Sequence, residues 1–334
     1  MCFYRYFEKV YNFAYMKKTR SIMMTTTGVL CAILLLSVDL LQGTQNADPQ
    51  IIWMLRLPRI TTAILTGAAL ALAGVQMQSI LRNPLADPHI MGISSGAAAG
   101  AAIVTMTGGV SALGGLAAGL SIAGAAFIGA MAAGLAIITV SRRFLTSTTL
   151  LIFGVMLGFI VSAFTTILQY SSDAESLKLF YSWSAGSFSV TTWPQIAIMA
   201  GALIIGGVIS FRGRKGLDII MFGDEYAELA GAKANHIRQS ALLSSCILTG
   251  AATAFCGPLG FVGIIAPHIA RAAFRTSSHR IILPASLLTG SIIGLTADLL
   301  SQLFPTPLPV ASTMAMVGIP IILYILIKKP DYGE

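Results

Sequence analysis

Charged residues are scarce in this sequence. Of 334 residues, only 10% are Asp, Glu, Lys or Arg, compared with about 25% in an ordinary soluble domain. Charge is missing altogether from residues 88–141, 144–172, 179–211 and 239–270. Because a bilayer-spanning helix needs about 20 mainly apolar residues, each stretch is long enough for one span and the first is long enough for two. The scarcity of charge therefore argues against a soluble enzyme and predicts a polytopic membrane protein.

Several motifs of catalysis and metal binding are also absent. The four cysteines, Cys2, Cys31, Cys246 and Cys256, have neither metal-binding nor redox spacing. The sequence contains no His-Glu-x-x-His zinc motif, no Gly-x-Ser-x-Gly nucleophile elbow and no Gly-x-x-x-x-Gly-Lys-Ser/Thr phosphate-binding loop. We therefore expect no catalytic residue, metal or cofactor on this chain. If ATP drives its activity, the ATP site lies on another polypeptide.

Hydropathy predicts ten membrane spans. They cover approximately residues 22–41, 57–80, 91–107, 113–140, 148–170, 193–211, 239–256, 259–274, 281–303 and 309–327. With a cytoplasmic N-terminus and alternating spans, three of the 21 Lys and Arg residues, Arg56, Arg59 and Lys178, fall outside and the other 18 fall inside. This asymmetry satisfies the positive-inside rule, and it predicts that both termini are cytoplasmic. The net charge of +8 thus has a topological explanation, and we expect no nucleic-acid partner.

The chain divides into a cytoplasmic N-terminal segment, residues 1–20, a transmembrane domain, residues 21–328, and a cytoplasmic tail, residues 329–334. No signal-peptide cleavage site follows the first apolar stretch, so we expect an uncleaved first span. Met1 and Met16 both stay open as the start, since Met16 is followed by Lys17 and Lys18.

Three hydrophilic segments interrupt the apolar chain. Residues 56–59 place two arginines on the outer side, either as interfacial anchors or as a docking point for an acidic partner. The outer loop 171–192 carries tryptophans typical of a membrane interface, and it has room for a partly re-entrant helix. The largest cytoplasmic segment, residues 212–238, predicts a short helix between Gly223 and Gly231, which is a natural surface for a cytoplasmic partner.

Few polar side chains lie inside the predicted spans. Asp298 and His268 are ionisable, and such residues are candidates for function, although hydrogen-bonded structural roles are equally open. No series of carboxylates crosses the bilayer as a proton or sodium relay would require. An ion-driven secondary transporter is therefore the alternative rather than the leading interpretation, and an intramembrane enzyme ranks below it for want of a nucleophile, base or metal set.

Two long motif blocks resemble the FecCD family, the permease subunits of ATP-binding-cassette importers for iron–siderophores, haem and cobalamin. The first block consists of Arg56-Leu-Pro-Arg59, Gly67-Ala-Ala-Leu-Ala-Leu-Ala-Gly74, Gln78, Arg82-Asn-Pro-Leu-Ala-Asp-Pro88 and Gly92-Ile-Ser-Ser-Gly-Ala97. The second consists of Gly257-Pro-Leu-Gly-Phe-Val-Gly263 and Ala266-Pro-His-Ile-Ala-Arg271. The resemblance extends over about residues 20–328.

The resemblance implies an all-α bundle of about ten spans, like the cobalamin permease, in the inner (plasma) membrane. It also implies a second permease subunit, in the commoner arrangement an identical copy. A cytoplasmic ATPase dimer that carries the ATP and a periplasmic or lipid-anchored substrate-binding protein complete the implied assembly. The cargo class would be a metal chelate. Iron–siderophore, haem and cobalamin all stay open, as does pairing with a related permease instead of an identical one.

Site residues follow from the same resemblance. Arg56 and Arg59 are similar to the arginines that meet acidic residues of the binding protein. Within residues 217–231, the positions that resemble the ATPase-coupling segment are Gly223, Asp224, Glu225, Glu228, Ala230 and Gly231. The run 145–148 resembles the cytoplasmic gate, with Ser147 and Thr148 as the gate residues. One departure concerns the last loop, where Ser301-Gln302 and Pro307-Leu-Pro-Val-Ala311 lack the arginine and glutamate typical of the family.

Overall fold

Helices account for most of the described chain. The structure is a computed structural model, and it describes residues 22–39, 49–107, 115–142, 146–304 and 306–327. Within these ranges no residue lies in a β-strand, which confirms the all-α fold class. The predicted terminal segments 1–20 and 329–334, and Leu145 of the predicted gate run, lie outside the described residues.

Twelve helices follow one another in the described ranges. They are α1 (Ile22–Asp39), α2 (Pro49–Leu81), α3 (Ile93–Met106), α4 (Gly115–Ser141), α5 (Ser147–Tyr170), α6 (Ala174–Ser184), α7 (Trp193–Ile220), α8 (Asp224–Leu229), α9 (Ala234–Cys256), α10 (Val262–Phe274), α11 (His279–Ser301) and α12 (Val310–Ile327).

Ten of these helices follow the ten predicted spans in order. Seven helices, α1, α2, α4, α5, α7, α9 and α11, are long and apolar enough to cross a membrane, and α3, α10 and α12 are shorter apolar helices. The remaining two, α6 and α8, are short and flank α7, one before its first residue and one after its last. We call the two ends of the bundle the α6 end and the α8 end.

Among the helices that continue beyond their predicted boundaries are α7 and α9. α7 continues to Ile220, nine residues past the predicted end at residue 211, and α9 begins at Ala234 rather than at residue 239. Lys and Arg are good helix formers whose charged heads reach water along apolar stems. The charges at 212–215 therefore end the apolar stretch without ending the helix, and only residues 221–233 connect α7 to α9.

The segment 171–192, predicted as an outer loop, contains the helix for which the sequence left room. Asp173 caps α6, because its carboxylate accepts the backbone N–H groups of Glu175 and Ser176, each at 3.1 Å. Hydrogen bonds from Ser176 hold the pKa of the Asp173 carboxyl below its usual value. The capped helix accounts for residues 174–184 of the predicted loop 171–192.

α2 forms the centre of the bundle. In its most apolar window 83% of the residues are buried, and it packs against α7, α9, α10 and α11. A Cβ atom on Gly67 would overlap the carbonyl of Gly290 in α11, and one on Gly74 would overlap the carbonyl of Gly263 in α10. Small residues let helix backbones approach this closely in a membrane, so glycine contacts hold the centre together.

The two shortest intramembrane helices, α3 and α10, each follow a partly buried non-helical segment. Asp87, 4% exposed, lies in the segment before α3 and accepts the backbone N–H of His89 at 3.1 Å. Its carboxylate also lies against the first turn of α10, since a Cβ atom on Gly263 would be 3.0 Å from Asp87 Oδ1. Because a helix N-terminus favours nearby negative charge, Asp87 links the segment before α3 to the start of α10.

Candidate functional site

The first turns of α2 carry the predicted docking residues Arg56 and Arg59. Residues Ile52–Arg56 form a π-helical section, in which hydrogen bonds span five residues instead of four. The section ends two residues before Pro58. Proline has no N–H, and its ring clashes with the carbonyl of the preceding turn of a regular α-helix. The wider turns absorb this irregularity and leave Arg56 half-buried at the α6 end.

Arg59 is the centre of an ion triad inside the chain. Its Nη2 donates to Asp39 Oδ1 at 2.8 Å and its Nε donates to Asp298 Oδ2 at 3.0 Å. The side chains of Asp39, Asp298 and Arg59 are 1%, 2% and 14% exposed. Since a buried charge is costly unless it is paired, the triad fastens the end of α1 and the end of α11 to α2. Asp298, left open by the sequence, thus has a partner within the fold.

Two tryptophans mark the membrane level of the α6 end. The rings of Trp53 and Trp193 stand 5.1 Å apart, and the indole N–H of Trp193 donates to the carbonyl of Trp53 at 3.1 Å. Tryptophan is enriched at membrane–water interfaces, where its ring is apolar and its N–H is wet. This pair therefore places the start of α7 at the interface.

At the opposite end, α8 stands between two glycines with left-handed backbone. Gly223 has φ +116° and Gly231 has φ +76°, conformations that glycine adopts at low cost. Ala227 of α8 is fully buried, and the predicted residues Glu225, Glu228 and Ala230 are exposed. The glycines turn the chain into and out of α8, which presents one face to solvent.

Asp224 points toward the bundle. Its carboxylate accepts the Nη2 of Arg238 at 2.6 Å, and the Arg238 side chain is 2% exposed. Arg238 belongs to the first turns of α9, so the ion pair ties α8 to that helix. The structure thus separates Asp224 from Glu225 and Glu228, which the sequence had treated as one group.

Three apolar side chains cover the exposed face beside α8, and sequence analysis missed them. Phe222, Tyr226 and Leu229 are 74%, 53% and 88% exposed, and the rings of Phe222 and Tyr226 stand 5.3 Å apart. We call these three residues the α8 patch. Apolar residues are common throughout this sequence, so their residue types gave no signal. What distinguishes these three is that they are exposed beside a helix outside the predicted spans.

A hydrogen-bonded chain of three side chains joins three helices near the α8 end. Asp218 Oδ1 accepts both the backbone N–H of His279, at 2.8 Å, and its ring Nδ1, at 2.6 Å. The other ring nitrogen, Nε2, lies 2.6 Å from Ser79 Oγ. The chain joins the last turn of α7, the first residue of α11 and the end of α2. We call it the Asp218–His279–Ser79 chain.

The predicted gate residues occupy the first turn of α5. Ser147 is buried, and its hydroxyl donates to the carbonyl of Ile80 at 3.0 Å, whereas Thr148 is exposed. Arg82, at the end of α2, reaches Ser147 Oγ with its Nη2 at 3.5 Å. A Cβ built on Gly223 would lie 3.3 Å from Arg82 Nη1. Arg82 therefore lies between the segment that carries α8 and the start of α5.

His268 and Arg271 of the second motif block act within the fold. His268 Nδ1 lies 2.8 Å from the carbonyl of Ile264, one turn earlier in α10. Arg271 donates to Gln78 Oε1, and Gln78 Nε2 donates to the carbonyl of Gly263 at 3.1 Å. The two bonds of Gln78 attach α10 to α2. Among the described residues no group of three His, Cys, Asp or Glu side chains is arranged to hold a metal ion.

One long face of α5 has no partner among the described helices. Met156, Phe159, Phe164 and Ile167 are 54%, 67%, 47% and 65% exposed, and only 22% of the apolar window of α5 is buried. The spacing of these residues follows one helical face. The face is apolar enough to contact lipid or a second apolar surface, and it begins at the predicted gate.

Comparisons with known proteins cover nearly all of the chain. The FecCD transport family matches residues 16–328. The vitamin B12 import system permease protein BtuC of Klebsiella pneumoniae is 31% identical in an alignment of 337 positions that covers 98% of this chain and 100% of that protein. The hemin transport system permease protein HmuU of Yersinia pestis is 34% identical over 284 residues, 84% of each chain. A solved inward-facing structure of a metal-chelate type ABC transporter superposes with a TM-score of 0.83 at 27% identity, covering 92% of this chain and 99% of that one.

Proposed function

The chain belongs to the FecCD transport family, and we propose that it is the membrane-spanning permease subunit of an ATP-driven importer for a metal chelate. The observation that carries this function is the α8 patch, held on a glycine-bounded helix and connected through Arg82 to the start of α5. Relatives named for vitamin B12 and hemin import support a chelate as the cargo class. Cobalamin, haem and iron–siderophore are the three candidates.

The α8 end is cytoplasmic in this proposal, and the α6 end faces the periplasm or cell exterior. The positive charges support this orientation, since Arg212, Arg214 and Lys215 stand at the α8 end of α7. Both termini are then cytoplasmic in the inner (plasma) membrane. The chain itself holds no ATP, which binds to the partner subunits.

A cassette ATPase dimer docks on the α8 patch and on the exposed carboxylates Glu225 and Glu228. Apolar side chains that are exposed on a short anchored helix match the helix-in-groove mode of recognition. Asp224 contributes indirectly, because its ion pair with Arg238 fixes the orientation of α8.

A substrate-binding protein docks at the α6 end. Arg56 and Arg59 are the proposed docking residues, and their roles differ. Arg56 is positioned to meet an acidic partner directly, whereas Arg59 is engaged with Asp39 and Asp298 and fixes the segment that presents Arg56. The absence of the family's arginine and glutamate at Ser301-Gln302 and 307–311 leaves this surface dependent on the α2 segment.

The second permease subunit is an identical copy in this proposal. The exposed face of α5 is then shared between the contact with that copy and the path for cargo, and Ser147 and Thr148 stand at its cytoplasmic end. Movement of α8 on ATP binding displaces Arg82, which loosens the start of α5 and opens the gate. A ligand shifts such an equilibrium only through unequal contacts in the two states, and the α8 patch supplies them.

Reconstitution with a partner ATPase tests the function. The permease, a cassette ATPase and the binding protein are placed in liposomes, and uptake of cobalamin, haem and a ferric siderophore is measured with ATP. Uptake of one cargo is expected with the active ATPase and not with one whose phosphate-loop lysine is replaced. Uptake that follows a proton or sodium gradient without ATP would instead establish a secondary transporter.

A further inference from the structure

A groove opens between α7 and α9 near the α8 end. Its volume is about 410 Å³, within the range of cavities that hold small molecules, roughly 300–1,000 Å³. Ile209, Leu217 and Ile237 form apolar walls, and Gln76 of α2 contributes to the lining. The groove lies away from the exposed face of α5 and from Ser147, so the transport mechanism above leaves it unused.

Two glycines of α7 shape the groove. A Cβ on Gly216 would lie 2.8 Å from the side chain of Ile237, so this glycine brings α7 close to α9. A Cβ on Gly213 would meet nothing within 4 Å, and Gly213 lines the groove. The groove is therefore open at Gly213, because glycine leaves empty the space that a larger side chain would fill.

The formal charge at the groove is positive. Arg212 of α7 lines it beside the imidazole of His236 of α9, and none of its lining residues is acidic. Asp218, the nearest carboxylate along α7, is bonded to His279 of α11. Apolar walls below a cationic rim match a molecule with hydrocarbon at one end and negative charge at the other.

The groove lies at the level of the bilayer where lipid headgroups are found. Arg212 follows Trp193 by 19 residues, which is about 28 Å along an α-helix at a rise of about 1.5 Å per residue. A bilayer has a hydrocarbon core of about 30 Å. Since Trp193 and Trp53 mark one interface, Arg212 stands at the other, where phosphate groups lie.

We propose that this groove binds an anionic phospholipid of the leaflet at the α8 end. Its phosphate pairs with Arg212 and its first acyl carbons lie along Ile209 and Ile237. Basic pockets between membrane helices recognise lipid headgroups by this combination. That this leaflet is the cytoplasmic one rests on the proposed function. The lipid would bridge α7 and α9, the two helices that flank α8.

The test uses the purified permease and needs neither ATPase nor cargo, so failure of the proposed function would not affect it. Binding of phosphatidylglycerol is measured by native mass spectrometry and by the shift in melting temperature, with phosphatidylcholine as the neutral lipid. We expect R212Q to weaken phosphatidylglycerol binding about fivefold, the effect of one basic residue near a lipid surface. G213L fills the groove without removing charge and should abolish the preference for phosphatidylglycerol.

The controls lie on the same helix. Arg214 carries the same charge two residues further on and does not line the groove, and Gly201 has equal space for a side chain further from Arg212. R214Q and G201L should therefore bind phosphatidylglycerol as the original protein does. Equal losses in R212Q and R214Q would overturn the proposal, as would an equal shift with inorganic phosphate or glycerophosphate. An effect of R212Q that appears only with the ATPase present would show a protein surface instead.

Discussion

At the scale of single residues, two neighbouring arginines on α2 have different surroundings. Arg59 pairs with two buried carboxylates, whereas Arg56 lies half-buried at the α6 end, three residues earlier. We expect R59A to lower the melting temperature strongly, because it leaves Asp39 and Asp298 with unpaired charge, an effect of about 3–5 kcal/mol. R56A should lower the melting temperature much less than R59A and should weaken binding of the substrate-binding protein.

The matched pair is measured in one detergent by thermal unfolding and by binding of the loaded binding protein. Neutralising the carboxylates as well, in R59A/D39N/D298N, should recover most of the lost stability, because it removes the buried charges. Equal melting temperatures for R56A and R59A would contradict the structural role of Arg59.

The Asp218–His279–Ser79 chain supports a second residue-scale prediction. D218N and H279Q each alter the same hydrogen bond between the Asp218 carboxylate and the His279 ring, so their effects on stability should not add. We expect a coupling free energy of about 1 kcal/mol between the two positions, at the low end for charge-assisted bonds since Asp218 is partly exposed. A double-mutant cycle on unfolding in detergent measures it, with S79A as a third position. Strict additivity of D218N and H279Q would show that the contact contributes nothing.

At the scale of elements, the conformation of Gly231 decides how α8 meets α9. Its φ of +76° disfavours side chains although a Cβ there would meet no atom within 4 Å. We expect G231V to reduce cargo uptake per ATP hydrolysed, since a β-branched residue at positive φ shifts the connection. G231N should retain coupling, because Asn tolerates this conformation best among residues with a side chain. The ratio of uptake to phosphate release in liposomes separates the two variants, and similar loss in both would point to side-chain bulk as the cause.

At the scale of the whole molecule, the α8 patch should govern assembly with the ATPase. Replacing Phe222 and Leu229 by serine removes apolar surface that is largely solvent-exposed in the chain, so the permease should fold normally. We expect ATPase affinity to fall by at least tenfold, since truncating a central apolar anchor typically costs about 2 kcal/mol. Pull-down and melting temperature are measured together. Y170S is the control, because Tyr170 is 94% exposed at the other end, and unchanged ATPase binding in F222S/L229S would remove the patch from the interface.

The sequence predicted the spans of the molecule better than its connections. Hydropathy was sufficient to place ten apolar helices, because a span buried in lipid requires a long apolar stretch. Hydropathy could not show that α7 continues through Arg212, since a charged side chain ends an apolar stretch without ending a helix. Contacts between distant positions were equally hidden: Ser79 and His279 are 200 residues apart and Asp218 and His279 are 61 apart, so no local spacing indicated them.

The site divides in the same way. Family resemblance proposed Arg56, Gly223 and Gly231 as site residues, because it compares residue types at defined positions. Residue types alone did not show that Arg59 is paired inside the chain while Phe222 faces solvent. Both facts depend on which helices surround α2 and α8, and that is information about packing rather than about sequence pattern.

The glycine contact at the centre of the bundle has a consequence for biogenesis. Gly67 of α2 and Gly290 of α11 touch across 223 residues of chain, and a ribosome adds about 5–20 residues per second. α2 therefore enters the bilayer tens of seconds before α11, the helix that will cover the backbone of α2 at Gly67. During that interval lipid tails cover this surface, and the arriving α11 must displace them. The fold is thus completed late in synthesis, when α11 replaces lipid on the surface of α2. A nascent chain that stops before α11 leaves this surface of its most central helix uncovered.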